Sequence, residues 1–496
     1  MEYHLLTYSF LFLPIILLLY RLTPSKYRWF LLLIADYVFY FMISKALIIV
    51  FSLAVIITYF TGLKLDHICC NNKYTGKSLK IKQRIILFSG IIINLSMLIV
   101  FKYFKLIGIS LIAPIGISYY TLQTISYMTD VYRKTIKCER NLGKLALYLS
   151  YFPQVIEGPI SRYHDVNSSL FAGNDLTYTN IASGYQRILW GLFKKMVIAD
   201  HLAPAVYKIF LHPERYDGAV IATGAIMFTM QLYAEFSGCM DIIIGSSETL
   251  GIILPENFRQ PFFAKNASDF WHRWHITLGT WLKDYIFYPI SLAKPLKKLA
   301  KKSKHLLGAN TSKMIVPTIA LFFVWLSNGI WHGAGWTYLF YGLYYFILIL
   351  IETICEPYIE RFYRNHSINE NNIIISSFRA LKLFVIVNIG ELFFRATSIT
   401  SGLSMLKQII FDFHIASLQE ANFGVDKYDL VIVFFAIIML FVVDIIHEHN
   451  IELRHVISDY KLPIRWAIWY TLIFFVIITG AYGAGYTIMD MIYAAY

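Results

Sequence analysis

Apolar residues in this chain gather repeatedly into stretches that approach or reach the roughly 17–25 positions a helix needs to cross a hydrocarbon core of about 30 Å. They fall at 8–20, 29–43, 46–63, 85–101, 106–128, 315–326, 336–351, 380–394, 430–446 and 464–480. Lipid offers no water to backbone N–H and C=O groups, so a chain patterned in this way must satisfy them inside helices. Composition agrees. Of 496 residues, 57% are hydrophobic and 15% charged, against about 45–50% and about 25% in soluble domains. Disordered, collagen-like and disulfide-stapled chains are excluded, and the expectation is an all-α polytopic membrane protein.

Its 44 Lys and Arg against 31 Asp and Glu leave a net charge of +13. A nucleic-acid partner is not needed to explain that excess, because basic residues collect in loops that stay cytoplasmic. With the N-terminus outside, Arg21, Lys26 and Arg28 fall inside, as do the lysines of 64–82 with Arg84 and the basic run Arg133 to Lys144. A second basic run, Lys294 to Lys304, reads as a cytoplasmic loop, and the turn at 327–335 then faces outward. The segment 145–210, broken by Pro153, Gly158, Pro159 and Gly184, reads as half-spans or interfacial helices, and 269–290 as an interfacial or re-entrant path. These pieces give about ten or eleven crossings by length. The chain divides into N-terminal helices (1–144), a core (145–396), and a loop with C-terminal helices (397–496). No cleavable signal peptide stands out. The five cysteines, Cys69, Cys70, Cys138, Cys239 and Cys355, show no metal spacing and read as bystanders. Gly483-Ala484-Gly485 reads as small-residue packing.

Polar residues within apolar surroundings are functional suspects, because lipid penalises them. The stretch 218–244 carries Gln231, Glu235 and Asp241, so it is expected to be internal. Two clusters are sharper: Trp271-His272-Arg273-Trp274-His275, and Asn328-Gly329-Ile330-Trp331-His332-Gly333. If the first is helical, Trp271, Trp274 and His275 share one stripe. The second reads as a Gly-punctuated turn presenting His332. Three readings stand for these histidines: interfacial side chains bonded to neighbours, a three-nitrogen metal site from His272, His275 and His332, or general-base catalysis by an imidazole of ordinary pKa near 6.5. The spacing lacks the H-E-x-x-H pattern of a helical zinc pair. No G-x-S-x-G elbow or Walker loop is present.

Several blocks, taken together and in order, resemble the membrane-bound O-acyltransferase family: Phe152-Pro153-Gln154 with Gly158-Pro159-Ile160 and Arg162, Phe236-Ser237-Gly238 with Asp241, Leu254 to Phe258, Phe270 to Leu278, Trp281 to Tyr285, Asn328 to Gly333, and Phe393 to Ala396. The likeness is greatest to the bacterial branch of alginate O-acetylation proteins, and more distant to the D-alanyl transfer proteins of teichoic acid. His272 replaces the Arg or Asn common in the family, and Glu157 a small residue.

The resemblance implies a bundle of about 11 transmembrane helices with re-entrant and interfacial pieces, set in the cytoplasmic membrane. It implies transfer of an acyl group, acetyl foremost, from a cytoplasmic thioester (acyl-CoA or an acyl carrier protein) to a hydroxyl of an extracytoplasmic glycan. The transfer is expected to be direct or to pass through a serine-hydrolase-like acetyltransferase partner. No permanently bound cofactor or metal is implied. His332 is expected as general base and His275 as its support, with Asn328, Trp331, Trp274, Gln231, Glu235, Asp241, Arg273 and His272 lining the passage. D-alanyl transfer to teichoic acid, or a non-enzymatic transporter, are the alternatives.

Overall fold

A computed structural model describes residues 7–70, 76–109, 111–369 and 372–482. The Gly483-Ala484-Gly485 segment lies outside the described residues. Among the described residues secondary structure is helical, apart from one isolated antiparallel bridge between Phe258 and Trp274. The long helices are α1 (Ser25–Ser44), α2 (Ile48–Cys70), α3 (Gly76–Tyr103), α4 (Ile117–Arg133), α5 (Tyr178–Leu192) and α6 (Gly218–Thr249). Two short ones follow, α7 (Ala267–Arg273) and α8 (Ile276–Leu282). The chain then forms α9 (Lys294–His332), α10 (Trp336–Asn365), α11 (Ile373–Arg395), α12 (Lys427–Glu448) and α13 (Leu462–Thr479). Among the described residues eight stretches are long and apolar enough to cross a membrane, the first holding both α1 and α2.

The apolar runs and the helices agree, with informative exceptions. The run at 8–20 becomes helix over 8–22, short of a crossing by length. The run at 106–128 leaves a short 3-10 turn at Phe104–Ile107 and becomes α-helical only after Pro114 and Gly116, and α4 is buried along most of its length. The basic run from Lys294 is not a loop. It opens α9, whose Lys, Leu and Ala residues favour helix, and Gly308 (φ 79°) breaks that helix before its apolar part. Residues 327–332 are not a turn either, because α9 continues to His332.

Among the described helices long enough to cross a membrane, α6 is the internal one, as its acids and amide require. Its most apolar stretch is 78% buried, against 11–28% in the other helices long enough to cross a membrane.

The described chain forms two compact units, one chiefly Met1–Leu192 with Gly238–Glu256, the other Phe193–Ser237 with Asn257–Met489. In the first, α2, α3 and α4 pack together. There the Asp36 carboxylate accepts from the Ser150 hydroxyl (2.9 Å) and the Phe152 N–H (2.8 Å), pinning the chain after the short helix Leu142–Ser150. In the second, α9 and α10 form a tight hairpin. A Cβ on Gly342 would lie 2.4 Å from the Trp325 carbonyl oxygen, and one on Gly329 2.5 Å from that of Tyr338. Small residues let the two backbones meet where lipid supplies no hydrophobic drive.

Candidate active site

The site residues of the second unit begin with a break. Asn266 caps α7 by accepting from the Asp269 N–H (2.7 Å), and the Glu352 carboxylate of α10 accepts from the Ala267 and Ser268 N–H groups (2.9 and 3.2 Å). A carboxylate at a helix N-terminus satisfies orphan donors and complements the dipole. The helix ends at Arg273, and Trp274 is extended. The Arg259 N–H donates to the Arg273 carbonyl and the Ile276 N–H to that of Asn257, so residues 257–259 pair briefly with 273–276. His275 turns this corner in the left-handed region (φ 47°, ψ 50°) and starts α8. Few non-glycine residues adopt that conformation. Trp271, Trp274 and His275 therefore do not form one helical stripe. The pairing with 257–259 overrides the helical spacing.

The corner buries His275, 2% exposed. Its Nδ1 lies 3.3 Å from Asn257 Oδ1, which also accepts from the Thr277 N–H (3.1 Å) and hydroxyl (2.9 Å). Against that acceptor Nδ1 carries the proton, leaving the lone pair on Nε2. Burial pushes the imidazole pKa down, to about 3. His275 is neutral at physiological pH and weakly basic.

His332 is 4% exposed at the end of α9. Trp331 contacts both histidines, its ring centroid 5.7 Å from His275 and 5.0 Å from His332. Phe236 of α6 stands edge-on to His275 at 4.9 Å, and Phe394 of α11 edge-on to His332 at 5.2 Å. Asn328 is buried one helical turn before His332. Two imidazoles far apart in sequence thus share one aromatic wall.

The other expected lining residues scatter. His272 is exposed, with Nδ1 on the Ser268 carbonyl (2.7 Å), so the three histidines do not converge on a metal. Among the described residues no three His, Cys, Asp or Glu gather as a metal site. Arg273 pairs with Asp269 (3.1 Å) and Glu448 (2.7 Å). Trp274 packs among Phe258, Phe270 and Tyr233. Asp241, in the first unit, pairs with Arg187 (2.9 Å), which also holds Glu256. Gln231 is buried one turn before Glu235 on α6.

Glu235 meets the ammonium of Lys195, which is fully buried and 3.2 Å from Glu235 and 2.7 Å from Asp200. Lys195 escaped the sequence reading because the pair Lys194-Lys195 looks like a loop charge. Its position between Leu192-Phe193 and Met196-Val197-Ile198 was the available signal. Glu391, a lone acid in the apolar run 383–394, was missed as well. It is buried on α11 and accepts from the Tyr341 hydroxyl at 2.9 Å.

Residues 140–394, which hold both histidines, match the model of MBOAT, the membrane-bound O-acyltransferase family. The chain belongs to the membrane-bound O-acyltransferase family. It is an O-acyltransferase and a multi-pass membrane protein, so the transporter alternative is set aside. The protein named "Probable alginate O-acetylase AlgI" of Pseudomonas aeruginosa is 32% identical over 435 residues, covering 84% of this chain and 76% of its own. The peptidoglycan O-acetyltransferase of Helicobacter pylori is 30% identical over 449 residues, 81% of this chain and 78% of its own. The teichoic acid D-alanyltransferase of Bacillus subtilis is 29% identical over 257 residues, covering 51% of this chain and 62% of its own. This membrane-bound O-acyltransferase carries both histidines within the family's characteristic segment.

Proposed function

We propose that this acyltransferase moves an acetyl group from a cytoplasmic thioester to a hydroxyl of an extracytoplasmic polysaccharide, with His332 as general base. The observation that carries the reading is the pair of buried histidines that both pack against Trp331. A nitrogen of His332 takes the proton of the acceptor hydroxyl while its oxygen attacks the thioester carbonyl. The tetrahedral intermediate expels the thiolate, the C–S bond breaks, and the imidazolium returns the proton to sulfur. Positioned proton transfer of this kind is worth about 10²–10⁴-fold in rate.

His275, weakly basic and with its lone pair on Nε2, suits a supporting role: Nε2 accepts a hydrogen bond and orients a donor amide or the acceptor hydroxyl. That tautomer does not suit an oxyanion, which needs a donated proton. The donor is acetyl-CoA or an acyl carrier, drawn to the basic segment from Lys294. The site needs no resident cofactor. The acceptor hydroxyl belongs to the glycan itself or to the serine of a serine-hydrolase-like partner outside the membrane, which then passes the acetyl group to the glycan. The enzyme sits in the cytoplasmic membrane with its N-terminus outside. Acetyl is favoured over D-alanyl because likeness to the O-acetylating relatives extends over most of the chain, while likeness to the D-alanyltransferase covers about half.

The test is radiolabelled acetyl-CoA supplied to the enzyme in proteoliposomes together with an envelope fraction of the producing cells that holds both the polysaccharide and the extracytoplasmic partner. Label on the polysaccharide is expected with the native chain and not with His332→Ala. Full labelling by a correctly inserted His332→Ala eliminates the base assignment. Labelling only from a D-alanyl carrier protein selects the alternative.

A further inference from the structure

A buried carboxylic acid behind His332 has no part in the proton transfer just described. Glu391 is 1% exposed on α11, a helix apolar enough to cross the membrane, where an acid is costly. Its Oε1 accepts from the Tyr341 hydroxyl of α10 at 2.9 Å. Satisfying a tyrosine does not require a side-chain acceptor. On the same two helices, Tyr344 donates to the backbone carbonyl of Ile386 at 2.8 Å.

The ring of Tyr341 stands edge-on to His332, with centroids 6.1 Å apart and planes at 82°. Phe394, three residues after Glu391 and so on the same side of α11, stands edge-on to His332 at 5.2 Å and packs against Tyr341 at 5.0 Å. Besides Trp331, the imidazole thus meets one ring from α10 and one from α11, and the Tyr341–Glu391 bond ties those two helices.

We propose that Glu391 is a positioning residue for His332, acting through Tyr341 to fix the plane of the imidazole. The inference rests on the assignment of His332 as base. An imidazole must aim one nitrogen at the incoming hydroxyl, and edge-to-face packing alone leaves a ring free to slide. A hydrogen bond from the packing ring to a rigid acceptor removes that freedom.

The experiment follows CoA-thiol release from acetyl-CoA by the enzyme in proteoliposomes supplied with an envelope fraction of the producing cells that holds both the polysaccharide and the extracytoplasmic partner. Tyr341→Phe removes one oxygen and leaves the ring. Glu391→Leu removes the acceptor, and Glu391→Gln keeps an acceptor oxygen. Misplacement of about 1 Å costs about a hundredfold in rate, so Tyr341→Phe and Glu391→Leu are each expected to lower kcat by about ten- to a hundredfold. KM for acetyl-CoA should stay near the native value. The double variant should be no worse than the worse single, as for residues acting as one unit, and Glu391→Gln should recover most of kcat. Should Glu391→Leu misfold, Tyr341→Phe still decides. If His332→Ala is inactive while Tyr341→Phe keeps full kcat, the positioning role is overturned alone. A Glu391→Gln as impaired as Glu391→Leu overturns it too. Full turnover by His332→Ala overturns the base reading itself.

Discussion

Replacing Lys195 with Met separates two accounts of Glu235, which sequence reasoning placed along a passage and the structure gives an ionic partner. The Lys195 ammonium is fully buried and lies 2.7 Å from Asp200 and 3.2 Å from Glu235. Burial pushes the Asp200 carboxyl above its usual range, and the nearby ammonium opposes that rise. Taking the ammonium away strands two carboxyl groups without water. Breaking a buried pair by removing one partner costs about 3–5 kcal/mol, and every 1.4 kcal/mol is about tenfold in the folded-to-unfolded ratio, so that ratio should fall about a hundredfold to a few thousandfold. Reversible unfolding of the purified protein by SDS in mixed micelles measures it. The triple variant Lys195→Met, Asp200→Asn, Glu235→Gln carries no stranded charge and should recover most of the loss. A single variant within about 1 kcal/mol of native, or a triple variant no better than the single, refutes the ionic account. A Glu235→Gln chain with native stability but no acyl transfer supports the passage account instead.

Three further outcomes are expected. His275 stays neutral in the folded chain down to about pH 3, whereas an unfolded imidazole protonates near pH 6.5. The unfolded state therefore binds the extra proton, and stability should fall as pH is lowered from about 6.5 toward 3, then level off; His275→Asn should flatten that part of the SDS-unfolding profile. Gly342→Val would drive a Cβ toward the Trp325 carbonyl, 2.4 Å away. Overpacking typically costs about 1–3 kcal/mol, and an unchanged thermal midpoint in detergent would contradict the tight α9–α10 hairpin. Glu352→Gln weakens the anchoring of α7 at Ala267 and Ser268; a loss of about 0.3–2 kcal/mol, the range for a charge at a helix terminus, should appear in the same assay.

The sequence alone determined the class of fold, because long apolar runs have one solution in lipid, and it located the internal helix, because Gln231, Glu235 and Asp241 cannot face hydrocarbon. The linked motifs also pointed to the family and to both histidines. What it could not decide was how those residues pair. The spacing of Trp271, Trp274 and His275 is helical, yet the contact with Asn257, 18 positions upstream, and with Arg259 bends the chain at His275. Asn328 to His332 contains a glycine and looks like a turn, yet packing on α10 keeps it helical. Lys195 and Glu391 became meaningful only beside Asp200, Glu235 and Tyr341, which lie 5, 40 and 50 positions away. Periodicity reports the solvent that a segment meets. The partner of a buried polar group is chosen by the whole chain, since each desolvated charge or donor must find its complement wherever the fold brings one near.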